Sequence, residues 1–211
     1  VIYMIPGMFG APLKALSGIL PPTTTHDFDL RKVIRDNSSG SGIAVPQSGE
    51  TETIKYADFL ELPHGFNGYF DYQQGIEAAK KLGKPVLLDF TGHGCANCRK
   101  MEDNVWVDPS VREQLMNDWV IISLYVDDRT TLPESEWITS TFDGKVKKTI
   151  GAINMDFEIT KFDNNAQPLY VLIDTNGNLL ANAKGYDPDA ASFSKFLADG
   201  LSEFKKNAGK Q

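Results

Sequence analysis

The two cysteines of this chain, Cys95 and Cys98, are the residues whose type and spacing most directly indicate chemistry. A disulfide between them closes a loop of only four residues. Such a bridge adds little stability, because the entropy it removes from the unfolded chain grows with loop length. A pair at this spacing can instead cycle between dithiol and disulfide. The spacing therefore predicts a redox-active pair rather than a structural crosslink.

The position of the pair at the start of a helical pattern predicts a different role for each cysteine. Unpaired N–H groups and the macrodipole at a helix N-terminus stabilise a thiolate, whereas a free thiol has a pKa of about 8.5. We assign Cys95, at that end, as the nucleophile and Cys98, nearly one turn further in, as the resolving cysteine. The intervening Ala96-Asn97 carries no charge, which favours a reducing couple over an oxidising one.

Metal and haem sites are the chemical alternatives for a Cys-x-x-Cys motif. A structural zinc site needs four ligands, usually with a second pair at a set spacing. The chain has no further cysteines and only His26, His64 and His93. Haem attachment requires a histidine directly after the second cysteine, where this chain has Arg99. We expect neither a metal nor another cofactor.

Three ionisable residues near the motif are candidates for proton transfer or electrostatic tuning. Asp89 lies in an otherwise apolar run, where a carboxylate is costly to bury unless it is paired or protonated, and it could exchange a proton with Cys98. Glu102 follows Cys98 by one helical turn on the same side, and His93 precedes Cys95 by two residues. The alternatives are a strand-end aspartate facing water, an exposed helix carboxylate and an exposed loop histidine.

The apolar periods around the motif alternate between helical and extended patterns. Asn176-Gly177 lies between two apolar runs and predicts an antiparallel hairpin. The order helix, strand, helix, helix, strand, helix, hairpin, helix predicts an α/β fold, a three-layer sandwich with a mixed sheet. The predicted strands cover residues 86–90, 120–126, 169–174 and 179–183, and the predicted helices cover 71–81, the segment from the motif onward, 109–116, 150–163 and the segment from 187 onward.

The part of the chain before this pattern has a different composition. Residues 1–20 are apolar but are interrupted by Pro6, Pro12 and Lys14, and are too broken for a spanning helix of about 20 apolar residues. They are interpreted as the exit end of a membrane helix or as an apolar arm that packs on its own domain. Residues 21–56 are rich in Pro, Thr, Ser and Gly, which is typical of a linker. We therefore divide the chain into a membrane-proximal segment with an extended linker, 1–59, and one domain, 60–211.

The net charge argues against one class of partner. Lys and Arg number 21 against 28 for Asp and Glu, a net charge of −7, and no basic run interrupts the sequence. Nucleic acid is therefore not an expected partner.

The motif and its surroundings resemble a known family. Residues 86–102, VLLDFTGHGCANCRKME, followed by Val105 and by DPSV at 108–111, resemble the C-terminal periplasmic domain of DsbD, a membrane thiol:disulfide interchange protein. The resemblance implies a thioredoxin-like fold and a protein-disulfide reductase. It places Asp89 and Glu102 at the family's acidic positions and Gln167-Pro168 at the substrate-facing cis-proline loop opposite the cysteines.

The same resemblance implies partners and a location. Residues 1–22 look like the chain leaving the last membrane helix, so this chain would be a soluble, monomeric fragment. Its partners would be protein thiols and disulfides and the membrane-embedded dithiol domain upstream in the same protein, and its location the periplasm, tethered to the inner membrane. Two features depart from a minimal thioredoxin, residues 127–148 and the long linker. The alternatives are a stand-alone reductase or isomerase, and a binding module without turnover.

Overall fold

The computed structural model describes residues 53–209, so the predicted apolar arm and most of the predicted linker lie outside the described residues. Short 3-10 turns cover Pro63–Gly65 and Glu134–Glu136, and a π-helical turn covers Glu102–Trp106. The remaining elements are α1 Tyr72–Leu82, β1 Val86–Thr91, α2 Ala96–Met101, α3 Pro109–Asn117, β2 Val120–Tyr125, β3 Ile138–Thr139, β4 Val146–Lys147, α4 Ile150–Phe162, β5 Leu169–Ile173 and α5 Ala190–Ala208.

The central sheet is mixed and has the strand order β2-β1-β5. Strands β1 and β2 are parallel, with Val86 opposite Val120, whereas β1 and β5 are antiparallel, with Val86 opposite Ile173. Isolated bridges extend the sheet at both edges, from Tyr69 to Ile122 and from β5 to residues 179 and 184. The predicted mixed sheet is confirmed.

Side chains alternate between the two faces of the sheet, and helices cover both faces. One face packs against the π-helical turn, α3 and α5, with Trp106, Leu115 and Phe193 in the core. The other face packs against α1 and α4. The strands are therefore buried on both sides, which explains their nearly continuous apolar sequences. This is the predicted three-layer α/β sandwich.

The prediction of a continuous second hairpin strand over residues 179–183 is wrong. Residue pairs Ile173–Leu179 and Tyr170–Lys184 form isolated bridges. Between these bridges, four residues, 180–183, face only two on β5, so the ladder cannot stay in register. The Asn-Gly turn itself is present, with Gly177 at φ +84°, a conformation that glycine adopts at no steric cost.

The helix predicted from Asp187-Pro188 starts later than expected. Its N-cap is Asp189, whose side chain accepts hydrogen bonds from N–H groups of the first turn. Asp187 forms an ion pair with Lys184 at 2.8 Å and accepts the N–H of Asp189. Two Asp residues compete for the cap here, and the one with the ion pair stays outside the helix.

Other helix boundaries follow local signals in the sequence. Asp71 caps α1, and Gly83 ends it in the left-handed conformation at φ +62°, as expected for a glycine C-cap. Asp108 caps α3, whose first residue is Pro109. Helix α4 ends at Phe162, before Asn164, as predicted.

The segment before the first helix contacts the rest of the domain. Ile54 and Tyr56 pack against the core, and Lys55 lies 2.6 Å from Glu136 and 3.4 Å from Asp71. Residues 127–148, which depart from a minimal thioredoxin, contain the small β3–β4 hairpin. Within residues 53–209, no helix combines the length and apolar character needed to cross a bilayer.

Candidate active site

The two cysteines differ in exposure as well as in position. Cys95 is the N-cap of α2, and its Sγ accepts the N–H of Cys98 at 3.1 Å. The pair forms a disulfide with a Cα–Cα distance of 5.2 Å. Cys95 is half-buried, whereas Cys98 is 1% exposed. An incoming group can therefore reach Cys95 but not Cys98, which fits the predicted nucleophile and resolving cysteine.

The elements on either side of the motif hold it at one end of the sheet. Strand β1 is fully buried and ends at Thr91, and the N–H of Cys95 donates to the carbonyl of Gly92 at 3.1 Å. After α2 the chain continues into the π-helical turn, which buries Glu102 and Trp106. Single π-helical turns are frequent at functional sites.

A buried cluster of charged residues lies beneath the motif. The Arg99 guanidinium donates to Glu102 Oε1 at 2.5 Å and to Thr91 Oγ1 at 3.2 Å. Asp89 accepts a hydrogen bond of 2.5 Å from the Ser123 hydroxyl. Asp89 is 2% exposed and Glu102 5% exposed. The alternatives of a water-facing Asp89 and an exposed Glu102 are therefore wrong.

The two buried carboxyls favour their neutral forms. Burial raises the pKa of Asp89 to about 6, although the Ser123 hydrogen bond and Arg99 oppose the shift. Burial also raises the pKa of Glu102 to about 8. Arg99 opposes this shift, whereas Asp89 adds to it. One guanidinium compensates one carboxylate, so the second carboxyl retains a proton near neutral pH. The two groups titrate as a coupled pair and can exchange a proton in the pH range in which thiols react.

His93 is held in place rather than free in the loop. Its Nε2 lies 2.9 Å from Asp128 Oδ2, and its ring lies 4.6 Å from that of Tyr125. Burial raises the pKa of the Asp128 carboxyl, but hydrogen bonds from His93 and Thr130 outweigh it and leave the pKa below its usual value. His93 is thus an exposed loop histidine, as the alternative interpretation had it, with 47% of its side chain exposed, and its electrostatic effect on Cys95 stays a prediction.

Asp127 holds the loop that leads into Cys95, and the sequence analysis missed it. Its carboxylate accepts the N–H of His93 at 2.8 Å and that of Gly94 at 2.9 Å. A Cβ at Gly92 would lie 3.0 Å from the same carboxylate. A signal was available, because Asp127-Asp128 comes one residue after β2, which pairs in parallel with β1, and such strand ends meet at one edge of a sheet.

Gln167 and Pro168 lie at the same end of the sheet as the motif. Their peptide bond is cis. Leu169 pairs with Phe90 in antiparallel register, which brings Pro168 next to Thr91, where the motif loop begins. The Gln167 side chain donates to Glu158 Oε2 at 2.9 Å. Glu158, which is fully buried, is the second residue missed from sequence, although it is an acidic residue within an apolar helix face.

The ionisable residues near the site are arranged in pairs rather than in a metal-binding group. His64 lies 2.8 Å from Asp103, and His93 is bound to Asp128. Among residues 53–209, no three His, Cys, Asp or Glu side chains are grouped so as to hold a metal ion. His26 lies outside the described residues.

Comparison with known proteins gives one family and several solved structures. The family model described as a thioredoxin-like domain matches residues 72–201. A DsbH oxidoreductase structure is similar with 20% identity and a TM-score of 0.49, over 80% of this chain and 98% of that chain. A thioredoxin from Thermus thermophilus has 21% identity and a TM-score of 0.44, over 63% and 85% of the two chains.

A disulphide isomerase from Xylella fastidiosa Temecula1 has 16% identity and a TM-score of 0.37, over 67% of this chain and 98% of that one. No curated protein matches the chain. The residues matched by the family model include β1, both cysteines and the Gln167-Pro168 loop.

Proposed function

This chain belongs to the thioredoxin-like domain family, and on that premise we propose that it is a protein-disulfide reductase acting through Cys95 and Cys98. The observation that carries the proposal is the asymmetry of the pair. Cys95 is half-buried at the helix N-cap, and Cys98 is buried and bonded to it in a disulfide. This arrangement provides one accessible nucleophile and one protected resolving thiol.

The reaction proceeds in two exchange steps from the reduced pair. The Cys95 thiolate attacks a substrate disulfide, forms a mixed disulfide and releases one substrate thiolate. The Cys98 thiolate then attacks the Cys95 sulfur, which closes the Cys95–Cys98 disulfide and releases the second substrate thiolate. Two electrons pass to the substrate, and the chain is left oxidised.

The buried carboxyl pair Asp89 and Glu102 supplies the group that accepts the proton of the Cys98 thiol. Cys98 is shielded from water, so its thiol needs an internal acceptor before it can attack. Asp89 in its ionised form takes this role, and Arg99, the residue after Cys98, donates a hydrogen bond to Glu102. The protonated Asp89 can then pass this proton to solvent or to the leaving thiolate.

The charges around Cys95 support reduction rather than oxidation as the direction of reaction. Ala96 and Asn97 carry no charge, and the Asp127 carboxylate binds the amide of Gly94, the residue before Cys95. A negative charge at this point disfavours the thiolate. A couple whose reduced form is less stabilised is a stronger reductant.

The proposal extends to the source of the electrons. The resemblance of residues 86–111 to the periplasmic domain of a membrane thiol:disulfide interchange protein supports a relay. In that relay a membrane-embedded dithiol of the same protein re-reduces the Cys95–Cys98 disulfide, and the domain acts in the periplasm on oxidised proteins.

The catalytic proposal is tested by reduction of insulin disulfides with dithiothreitol as the electron source. Wild type should accelerate insulin reduction, and Cys95→Ser should abolish the acceleration because the attacking sulfur is gone. Ser110→Ala, a change at an exposed position of α3, is the control and should keep activity. Undiminished activity of Cys95→Ser would remove Cys95 from the mechanism, whereas a wild type that does not accelerate insulin reduction would favour a binding module without turnover.

The relay is tested separately by trapping. Cys98→Ala removes the resolving thiol, so mixed disulfides at Cys95 should accumulate and be separable on non-reducing gels. The relay requires one of them to contain a membrane-embedded thiol protein. If only soluble periplasmic proteins are trapped, the stand-alone reductase replaces the relay.

A further inference from the structure

A buried glutamate lies between α4 and the loop that precedes β5. Glu158 is on the face of α4 that also carries Met155 and Phe162, which pack against the apolar core. Its side chain is fully buried. Oε2 accepts the Gln167 hydrogen bond at 2.9 Å, and Oε1 is buried without a hydrogen-bond partner.

Packing between α4 and the sheet does not account for this carboxyl. Burial raises the pKa of Glu158 to about 7, although the Gln167 hydrogen bond opposes the shift. A buried carboxyl with an unsatisfied oxygen reduces stability, and an apolar side chain of similar size would pack better there. The structural effect of Glu158 is the hydrogen bond that it makes across to the loop.

That hydrogen bond completes a set of side-chain contacts that shape the loop. Asp163 ends α4 in the left-handed conformation at φ +51°. Asn164 Oδ1 accepts the N–H of Ala166 at 2.8 Å, and the Gln167 amide also donates to the Asn165 carbonyl at 3.1 Å. Gln167 therefore links the loop to itself with one N–H and to α4, through Glu158, with the other.

The loop borders the surface that a protein substrate must occupy. The register of β5 with β1 brings Pro168 next to Thr91, at the start of the motif loop. Asn165 and Ala166 are exposed and Gln167 is half-buried. On the proposed function, a polypeptide that presents a disulfide to Cys95 would extend along this border, whereas a low-mass disulfide would contact little more than the Cys95 sulfur.

We propose that Glu158 is a positioning residue for protein substrates: its carboxyl holds Gln167, and so fixes the loop on which the polypeptide beside the attacked disulfide docks. The proposal rests on the proposed function, because it assigns a substrate-binding role within the same site. Glu158 does not touch the reacting sulfurs, so it acts on docking and leaves the exchange steps unchanged.

The test compares Glu158→Leu, which removes the acceptor, with Glu158→Gln, whose amide oxygen can still accept from Gln167. Steady-state reduction is measured with insulin and with bis(2-hydroxyethyl) disulfide, and the reduction potential is measured in parallel. Loss of one positioning hydrogen bond predicts a roughly five- to tenfold higher KM for insulin with Glu158→Leu. In Glu158→Leu, the kcat for insulin, the activity towards the low-mass disulfide and the reduction potential should stay unchanged. Glu158→Gln should keep the wild-type KM for insulin.

Controls separate docking from general damage. Glu113→Leu makes the same change at an exposed position of α3 and should leave the insulin KM unchanged. Gln167→Leu breaks the same hydrogen bond from the other side. It also removes the hydrogen bond to the Asn165 carbonyl, so it should raise the insulin KM at least as much, which keeps the test available if Glu158→Leu does not fold.

Two results would overturn the inference. One is an unchanged insulin KM in both Glu158→Leu and Gln167→Leu. The other is an equal loss of activity towards insulin and the low-mass disulfide, which would indicate damage to the cysteine site itself. Wild type that reduces neither substrate would instead reject the proposed function, and the inference with it.

Discussion

Replacing Asp89 by Asn should stabilise this protein at neutral pH, even though Asp89 lies in the centre of the sheet. Asp89 is fully buried, and its pKa is raised from 3.8 to about 6. Asn has nearly the same shape and carries no charge at any pH. Its amide oxygen can still accept the hydrogen bond that Ser123 makes to Asp89.

The size and sign of the effect follow from the two pKa values. The folded protein holds the Asp89 proton more tightly than the unfolded chain, so this group favours folding at low pH. That contribution is lost as pH rises from about 4 through about 6. A shift of about two units corresponds to about 3 kcal/mol. Asp89→Asn should therefore raise the free energy of unfolding by up to about 3 kcal/mol at pH 7.5 and change it little at pH 4.

The assay is urea unfolding of the oxidised protein, followed by circular dichroism between pH 4 and pH 8. Asp174→Asn is the control with the opposite sign. Burial raises the pKa of Asp174, but hydrogen bonds from Asn178 and Asn176 leave it below the usual value. Asp174→Asn should therefore destabilise the protein at neutral pH, with a deficit that shrinks on acidification.

Two results would refute the reasoning about Asp89. One is an Asp89→Asn protein less stable than wild type at pH 7.5. The other is a stability difference that does not change with pH. Either would mean that the ionised Asp89 carboxylate is well compensated by Arg99 in the folded protein, so that its burial costs no stability.

Two further predictions concern the segment that follows β2. Asp127→Ala removes a negative charge next to the amide of the residue before Cys95. An effect on the order of 1 kcal/mol on the Cys95 thiolate should make the reduction potential about 20 mV less negative, measured in dithiothreitol redox buffers. An unchanged potential would contradict this electrostatic role. Gly151→Ala places a Cβ 2.6 Å from the backbone N and O of Asp128, so the free energy of unfolding should fall by about 1–3 kcal/mol in urea. Gly94→Ala, whose Cβ would lie 3.6 Å from Asp127, should change stability little, and equal losses in the two glycine variants would count against the steric argument.

Where local signals agree, the element boundaries were predictable from the sequence. Asp71 and Gly83 mark the two ends of α1, and Asp108-Pro109 begins α3, because caps depend on residues within one helical turn. The prediction failed where signals compete over a short distance. Asp187 and Asp189 both qualify as caps, and in the structure Asp189 caps the helix while Asp187 pairs with Lys184.

For the candidate site, the sequence by itself determined that the pair Cys95 and Cys98 follows a buried strand and begins a helix. Cys95 and Cys98 are separated by less than one helical turn, so their spacing in the sequence alone places the two sulfurs close together, without contacts from elsewhere in the chain. Only the tertiary structure decided that Asp89 and Glu102 are both buried within the electrostatic reach of Arg99, that Asp127 holds the motif loop, and that Glu158 accepts a hydrogen bond from Gln167. These depend on side chains from different strands and helices, and the charge that a carboxyl carries is set by what packs around it.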